Sequence, residues 1–170
     1  MNNLVYYITG PDGCGKTTFL KQIEKHLSGK GFKTRHIWLR SPKFVSRPLN
    51  AFSRLTGLTK YFYVDGIKYG THDFYKSKFV SLLFPILQLI DFKIKWYKLQ
   101  SQIQPDEIVL FDRFALDTLC DLMVDTRQFS LHKSWLGKLF TSLIPPNSKT
   151  IMLITDEDVI RLRKKDTLYD

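Results

Sequence analysis

The chain is poor in cysteine. Its 170 residues include only two, Cys14 and Cys120. A disulfide framework needs more cysteines than this, so small secreted disulfide scaffolds are excluded and a reducing cytoplasm is the expected compartment. No signal peptide is expected either, because the N-terminus leads directly into an apolar strand pattern.

A long apolar run is also missing. The most apolar stretch, Phe79–Phe92, is interrupted by Pro85, Gln88 and Asp91 and is too short to span a bilayer. No transmembrane segment is therefore expected. A buried or dimer-forming helix is the preferred interpretation of this stretch, and contact with a membrane surface is the alternative.

Acidic residues are scarce. The chain has 26 Lys and Arg against 16 Asp and Glu, which gives a net charge of +10. Seventeen of the basic residues and only four acidic ones lie between Lys16 and Gln100. Such a balance suits polyanionic ligands, including nucleotides and nucleic acid, although a solvated basic face is the simpler alternative.

The four histidines show no spacing typical of metal ligands, and the sequence contains no repeats or low-complexity tracts. His26, His36, His72 and His132 are therefore not assigned to a metal site.

A glycine-rich stretch, "GPDGCGKTT", carries the clearest motif. Gly10, Gly15, Lys16 and Thr17 match G-x-x-x-x-G-K-[ST], a loop whose backbone N–H groups cradle a polyphosphate. Lys16 would reach the β- and γ-phosphates, and Thr17 would offer its hydroxyl to Mg²⁺. An ordinary glycine turn is the alternative. The full predicted phosphate-binding set is Gly10, Asp12, Gly13, Cys14, Gly15, Lys16, Thr17 and Thr18.

Strand and helix patterns alternate along the chain. The predicted strands are Leu4–Thr9, Thr34–Leu39, Ile108–Phe111 and Thr150–Ile154. The predicted helices are Lys16–Ser28, Phe74–Gln104, Ala115–Val124, Lys133–Leu143, and a last one from about Asp156 to Lys165. Residues 41–63 read as less regular. This alternation predicts one α/β domain over residues 1–170, with a parallel sheet covered by helices on both faces.

Polar residues follow the predicted strands at their carboxyl ends, which is where α/β proteins bind ligands. Gly10, Arg40, Asp112-Arg113 and Asp156 occupy these positions. We therefore expect them to converge on one crevice.

The stretch "IVLFDRF" supplies a second motif. Four apolar residues followed by Asp112 are typical of a carboxylate that holds Mg²⁺ beside a phosphate loop, with Thr17 as its partner. Arg113 would then neutralise phosphate charge between donor and acceptor.

Together, "GPDGCGKTT" and "FDRF" resemble the thymidylate kinase branch of the P-loop nucleoside monophosphate kinases. The resemblance implies a three-layer P-loop NTPase fold and phosphoryl transfer from MgATP to a nucleoside monophosphate, dTMP first. It implies a homodimer and cytoplasmic nucleotide biosynthesis. It also implies that Asp12 faces the acceptor sugar and that Asp112 and Arg113 lie between the two nucleotides. The expected acceptor-binding residues are Asp12, Arg40, Phe44, Phe74 (or Tyr75) and Arg113.

The same resemblance places a lid after the fourth predicted strand, within residues 156–170. Because Cys14 occupies a loop position that is arginine in some relatives, the lid is expected to supply the cations. Arg161, Arg163, Lys164 and Lys165 in "DVIRLRKKD" are the candidates, and Arg161 and Arg163 are the expected catalytic ones. A helix C-terminus with ordinary basic residues is the alternative.

The chain departs from the family pattern in three places. "LRSPKF" stands where Arg-Glu-Pro-Gly is usual, Lys93 and Lys95 stand where an acceptor-binding arginine is usual, and the chain stops before the expected last strand. These departures leave open another phosphorylated acceptor. The basic surface leaves open a nucleic-acid-dependent or regulatory ATPase module, which is not favoured because no known nucleic-acid motif is visible.

One acidic pattern lies outside these motifs. Asp117, Asp121 and Asp125 recur every four residues on a predicted helix, so they share one face. A solvated or lysine-paired stripe is the preferred interpretation, and a supporting role beside a metal ion is the alternative.

Overall fold

The computed structural model of the chain describes residues 3–64 and 67–163. The strands are β1 (Val5–Thr9), β2 (Lys33–Trp38), β3 (Thr59–Val64), β4 (Ile67–His72), β5 (Glu107–Asp112) and β6 (Ser148–Met152). The helices are α1 (Lys16–Gly29), α2 (Arg47–Leu55), α3 (Lys78–Gln100), α4 (Ala115–Thr126), α5 (Trp135–Thr141) and α6 (Glu157–Arg163), with 3₁₀ turns at Phe74–Lys76 and Leu131–Lys133.

Four strands form a sheet in the order β2-β5-β1-β6, and all three of its pairings are parallel. This confirms the predicted α/β class. The pairing of β1 with β5 sets Ile8 opposite Asp112, so the ends of these two central strands lie side by side. The loop after β1 and the residues after β5 therefore start from the same edge of the sheet.

The chain divides into two compact units. The sheet unit comprises Met1–Leu39, Gln102–Phe114 and Ile144–Asp170, and the helical unit comprises Arg40–Ser101 and Ala115–Leu143.

The core of the sheet unit forms where α1 covers the sheet. Leu20 of α1 packs with Ile8, Ile108 and Leu110, and partly buried Phe19 and Ile23 extend the cluster. Each fully buried Leu or Ile stabilises the fold by roughly 1.5–3 kcal/mol. This packing fixes the first turn of α1 against the ends of β1 and β5.

The helical unit is built around α3, which packs against α4 and α5. Phe92 of α3 meets Phe140 of α5 edge to face, with ring centroids 5.9 Å apart. The antiparallel hairpin of β3 and β4 completes the unit and contacts α2.

Two sequence expectations need correction here. The predicted helix Phe74–Gln104 is a 3₁₀ turn followed by α3, which begins at Lys78 because the Ser77 hydroxyl caps it by accepting from Val80 N at 3.4 Å. Residues 41–63 are not irregular, since they contain α2 and β3. Within residues 3–64 and 67–163, the structure has no helix that is both long and apolar enough to cross a membrane.

Candidate functional site

The loop between β1 and α1 depends on backbone conformations that favour glycine. Gly10 has φ +140° and Gly15 has φ +95°, where a side chain is strained. A Cβ at Gly10 would also lie only 2.3 Å from the Leu153 carbonyl oxygen. The predicted glycine positions therefore hold the loop close to the strand ends.

Lys16 lies inside this loop and is only 6% exposed. Its ammonium donates to the carbonyl oxygens of Gly10 and Pro11 at 2.7 and 2.5 Å. The Asp12 carboxylate lies 3.7 Å away and the Cys14 thiol 3.8 Å away. The loop thus surrounds the Lys16 ammonium, and the dipoles of the Gly10 and Pro11 carbonyls offset only part of its positive charge.

The first turn of α1 starts directly at this loop. Gly15 is its N-cap and provides no side chain to cap it. The first N–H groups of a helix lack intrahelical acceptors, and the helix dipole places positive charge there. Thr17 and Thr18 follow with exposed side chains. The helix start therefore has free N–H groups of the kind that bind anions, and phosphate binding there stays a prediction from the motif.

Asp112 and Arg113 come from the end of β5, next to the loop. Arg113 adopts a left-handed conformation, φ +67°, while its N–H donates to Ile8 O at 3.2 Å. Its guanidinium forms an ion pair with the Asp12 carboxylate. Asp112 is nearly buried, and its carboxylate lies 3.9 Å from His36 Nε2. Two neighbouring strands thus bring together the predicted loop and the predicted Asp-Arg pair.

A cleft of about 740 Å³ opens over these groups. It is lined by residues 12–19 together with Gln22, Trp38, Asp112 and Arg113. Sequence reasoning missed Phe19, Gln22 and Trp38 as lining residues. Two signals would have found Gln22 and Trp38: Gln22 lies one helical turn after Thr18, and Trp38 ends β2 opposite Asp112.

The end of β6 is also joined to the loop. Thr155 Oγ1 donates to Cys14 O at 3.5 Å, and Leu153 N donates to Thr9 O at 2.9 Å. Asp156, predicted at this strand end, accepts from Val159 N and Ile160 N through its backbone carbonyl and so starts α6. Arg161 and Arg163 belong to α6, but their side chains, like Lys164 and Lys165, lie outside the described residues.

Three of the predicted acceptor residues belong to the helical unit. Arg40 forms a two-pronged ion pair with Asp121, with both nitrogen–oxygen distances at 2.7 Å. Phe44 is exposed, whereas Phe74 is fully buried against Phe84 at a centroid distance of 4.4 Å. Phe74 therefore presents no surface to a ligand in this structure, because it is part of the core of its unit.

The acidic stripe of α4 is buried or half-buried, and its central member pairs with an arginine. Asp117 is buried, and Asp121 holds Arg40. Burial, together with the charge of Asp121, raises the pKa of Asp125 to about 7. The preferred interpretation, a solvated or lysine-paired stripe, was thus wrong for Asp117, which is buried, and for Asp121, whose ion-pair partner is Arg40.

No three His, Cys, Asp or Glu side chains cluster as metal ligands in the part of the chain that the structure describes. A magnesium ion on a nucleotide does not need such a cluster, because phosphate and water oxygens supply most of its ligands. The Thr17 hydroxyl and the Asp112 carboxylate both line the cleft and are hard oxygen donors, so they fit this ion.

Comparison with known proteins gives no assignment. A scan against models of protein families finds no match, and a search of curated proteins finds no significant relative. The function must therefore be argued from the site.

Proposed function

We propose that the protein transfers a phosphoryl group from MgATP to a nucleoside monophosphate, with dTMP as the first acceptor to test. The fold that we propose for it is the three-layer P-loop NTPase fold. The observation that carries the proposal is the placement of Lys16, the uncapped start of α1, and Asp112-Arg113 around one cleft. An ordinary glycine turn that binds no ligand does not require these groups to lie around one cleft.

Charge neutralisation is the main work of such an enzyme, since phosphoryl transfer requires little covalent chemistry from the protein. We propose that Lys16 exchanges its contacts with the Gly10 and Pro11 carbonyls for the β- and γ-phosphate oxygens of the donor. The N–H groups of the first turn of α1 hold the same phosphates.

Arg113 is proposed to stabilise the phosphoryl group during its transfer from donor to acceptor. Its ion pair with Asp12 holds the guanidinium at the cleft before any ligand arrives. A preoriented cation lowers the barrier because little reorganisation remains when charge develops. Arg161 and Arg163 of α6 are proposed to add further positive charge near the donor phosphates.

Thr17 and Asp112 are the proposed holders of Mg²⁺. When bound, the ion would neutralise phosphate oxygens and orient the donor. Asp12 is proposed to contact the acceptor. For Arg40 and Phe44, acceptor binding stays a prediction.

A homodimer is proposed as well. Six exposed apolar residues recur every three or four positions along α3 and so share one face: Phe79, Leu82, Ile86, Ile90, Ile94 and Tyr97. Light scattering after gel filtration would test this, and a monomer at micromolar concentration would refute it. The proposed compartment stays the reducing cytoplasm, because Cys14 and Cys120 are both free.

The test of the reaction is an acceptor screen. The full chain is incubated with MgATP and each nucleoside monophosphate in turn, and the diphosphate formed is measured by chromatography. We expect dTDP from dTMP, and no product without Mg²⁺.

Two outcomes would redirect the proposal. Turnover of another phosphorylated acceptor but not dTMP would keep the kinase and change its substrate. ATP hydrolysis that requires an oligonucleotide, with no acceptor phosphorylated, would replace the kinase by a nucleic-acid-dependent ATPase.

A further inference from the structure

One surface of the helical unit is both apolar and basic. It comprises Phe44, Arg47, Phe52, Arg54 and Leu55, around α2, together with Tyr61 on β3. We call it the α2 surface. Of these residues only Phe44 has a predicted role in the proposed kinase reaction, and the inference does not rest on that reaction.

Helix α2 exposes its apolar side. Leu55 is 88% exposed and Phe52 46% exposed, whereas the polar residues Asn50 and Ser53 are buried. The buried polar groups are satisfied within the helix, because Asn50 Nδ2 donates to Ser46 O and Ser53 Oγ donates to Leu49 O. The buried side of the helix thus consists of Leu49, Asn50 and Ser53, and its exposed side carries both apolar and basic groups.

The α2 surface is continuous from the loop before the helix to the hairpin after it. The Arg47 guanidinium lies 5.9 Å from the centroid of Phe44, and the Arg54 guanidinium lies 5.4 Å from that of Tyr61. These cation–π contacts place a positive charge beside two of the three exposed rings, those of Phe44 and Tyr61. The loop, the helix and the hairpin thus contribute both basic and apolar groups to this surface.

The charge of this region has one sign. Residues 40–64 contain five Lys or Arg and no Asp or Glu. The acidic residue that packs against the start of α2 is Asp91, which is fully buried and accepts from Phe44 N, Val45 N and Ser46 N. The positive field also acts on His72, whose pKa falls to about 4 because of burial and the charges of Lys43 and Arg54.

We propose that the α2 surface docks on the surface of an anionic phospholipid bilayer. Arg47 and Arg54 would meet the headgroup phosphates, and Phe52 and Leu55 would enter the boundary of the acyl chains. An interfacial helix lies in the plane of the membrane, so it does not need the length of a spanning one.

Two other partners fit less well. A second copy of this face would bring like charges together, which costs binding free energy. Single-stranded nucleic acid is bound by aromatic rings whose faces stack on bases, but the rings of Phe44 and Tyr61 already carry the Arg47 and Arg54 guanidinium groups over them. An acidic bilayer matches both the charge of the surface and its exposed apolar side chains, of which aliphatic Leu55 is the most exposed.

The experiment is vesicle flotation of the full-length chain without nucleotide. Vesicles of phosphatidylcholine alone are compared with vesicles containing 30 mol% phosphatidylglycerol, a fraction of about one anionic lipid in three chosen for its strong surface potential. We expect the protein to float only with the anionic vesicles and to be released as salt is raised.

Variants then separate charge from apolar contact. Arg47→Gln with Arg54→Gln should lower partitioning by about 30-fold, taking about 1 kcal/mol per basic residue near a charged membrane. Phe52→Ser with Leu55→Ser should lower it by about tenfold or more. The matched control is Val124→Ser with Phe129→Ser, which removes an exposed aliphatic and an exposed aromatic residue elsewhere in the same unit and should change nothing.

The proposal is overturned if the protein does not float with anionic vesicles. It is also overturned if the control double variant weakens binding as much as the two double variants of the α2 surface do. A fluorescent oligothymidylate is titrated in parallel. Binding of this probe that is lost in the Arg47 and Arg54 variant, without vesicle binding, would assign the surface to nucleic acid instead. Circular dichroism melts of each variant show whether it is folded.

Discussion

Lys16 in the sheet unit and Asp91 in the helical unit are both buried charges, yet their surroundings differ. Lys16 is held by two backbone carbonyls and lies beside a cleft of about 740 Å³. Asp91 accepts from three successive backbone N–H groups and from the Ser46 hydroxyl. A ligand can compete for the partners of Lys16, whereas Asp91 is satisfied by the segment that it fixes. We therefore read Lys16 as functional and Asp91 as structural.

The largest expected effect concerns Lys16. Lys16→Ala should reduce phosphoryl transfer at least about 100-fold, because the charge on the moving phosphoryl group loses its main counterion. The free energy of unfolding should change by less than about 1 kcal/mol, because the desolvation cost of the buried ammonium offsets its attraction to the Asp12 carboxylate 3.7 Å away.

The matched control is Lys21→Ala, an exposed lysine on the same helix. Steady-state product formation and urea unfolding are measured for both variants. If Lys16→Ala forms product as fast as Lys21→Ala does, the proposal that this loop binds the donor phosphates is wrong.

Asp91 should behave in the opposite way. Asp91→Asn should lower the free energy of unfolding by roughly 3 kcal/mol, because it places an NH₂ group among buried donors and removes a charge-assisted hydrogen-bond network. Urea denaturation measures this loss. Asp106→Asn, which removes an exposed carboxylate paired with Lys33 at 2.6 Å, should cost much less, because solvent screens a surface ion pair. Equal losses in the two variants would contradict the structural role of Asp91.

Asp125 gives a prediction about how the stability of the fold depends on pH. Its pKa is about 7 in the folded chain, against an ordinary value near 4. Between these values the native state keeps a proton that the unfolded state has lost, so this group makes the fold less stable as pH rises from about 4 to about 7. Asp125→Asn should therefore gain stability over wild type across that window, by on the order of 4 kcal/mol at the upper end.

His72 acts with the opposite sign. Its pKa of about 4 lies below the ordinary value, so its contribution to stability is lost as pH falls from about 6.5 to 4. Thermal melts of wild type and Asp125→Asn at closely spaced pH values separate the effect of Asp125 on stability from that of His72. Asp158→Asn, which removes an exposed carboxylate, is the control. A stability difference between Asp125→Asn and wild type that does not vary with pH would contradict the buried environment of Asp125.

The two units also differ in how far the sequence predicted them. In the sheet unit, each strand lies within two residues of its predicted position, because short apolar runs that end in Gly10, Arg40 or Asp112 mark strands. Of these strands β1 and β5 are buried, whereas β2 is an edge strand and is largely exposed. The loop and the Asp112-Arg113 pair came together as expected, since parallel strands share one carboxyl edge.

In the helical unit, α2 was not predicted, because Pro48 interrupts the helical pattern. Pro48 lies in the first turn of α2, where proline is tolerated. The sequence signal for the hairpin was present but unused, since the run "TKYFYV" is followed directly by Asp65-Gly66. The burial of Phe74 and the pairing of Arg40 with Asp121 depend on tertiary packing, which one sequence does not encode locally.

The left-handed backbone of Arg113 is another feature that pattern reading could not supply, and it gives the smallest predicted effect. An ordinary side chain at φ +67° costs roughly 1 kcal/mol relative to glycine. Arg113→Gly should therefore be about 1 kcal/mol more stable than Arg113→Ala in urea unfolding, although both lose the ion pair with Asp12. Both variants should lose phosphoryl transfer to the same extent, because both lack the guanidinium. A glycine variant that is no more stable than the alanine variant would mean that the strain at this position is absent, whereas retained activity in either would remove Arg113 from the proposed reaction. Stability and activity thus report separately on the backbone and the side chain of one residue.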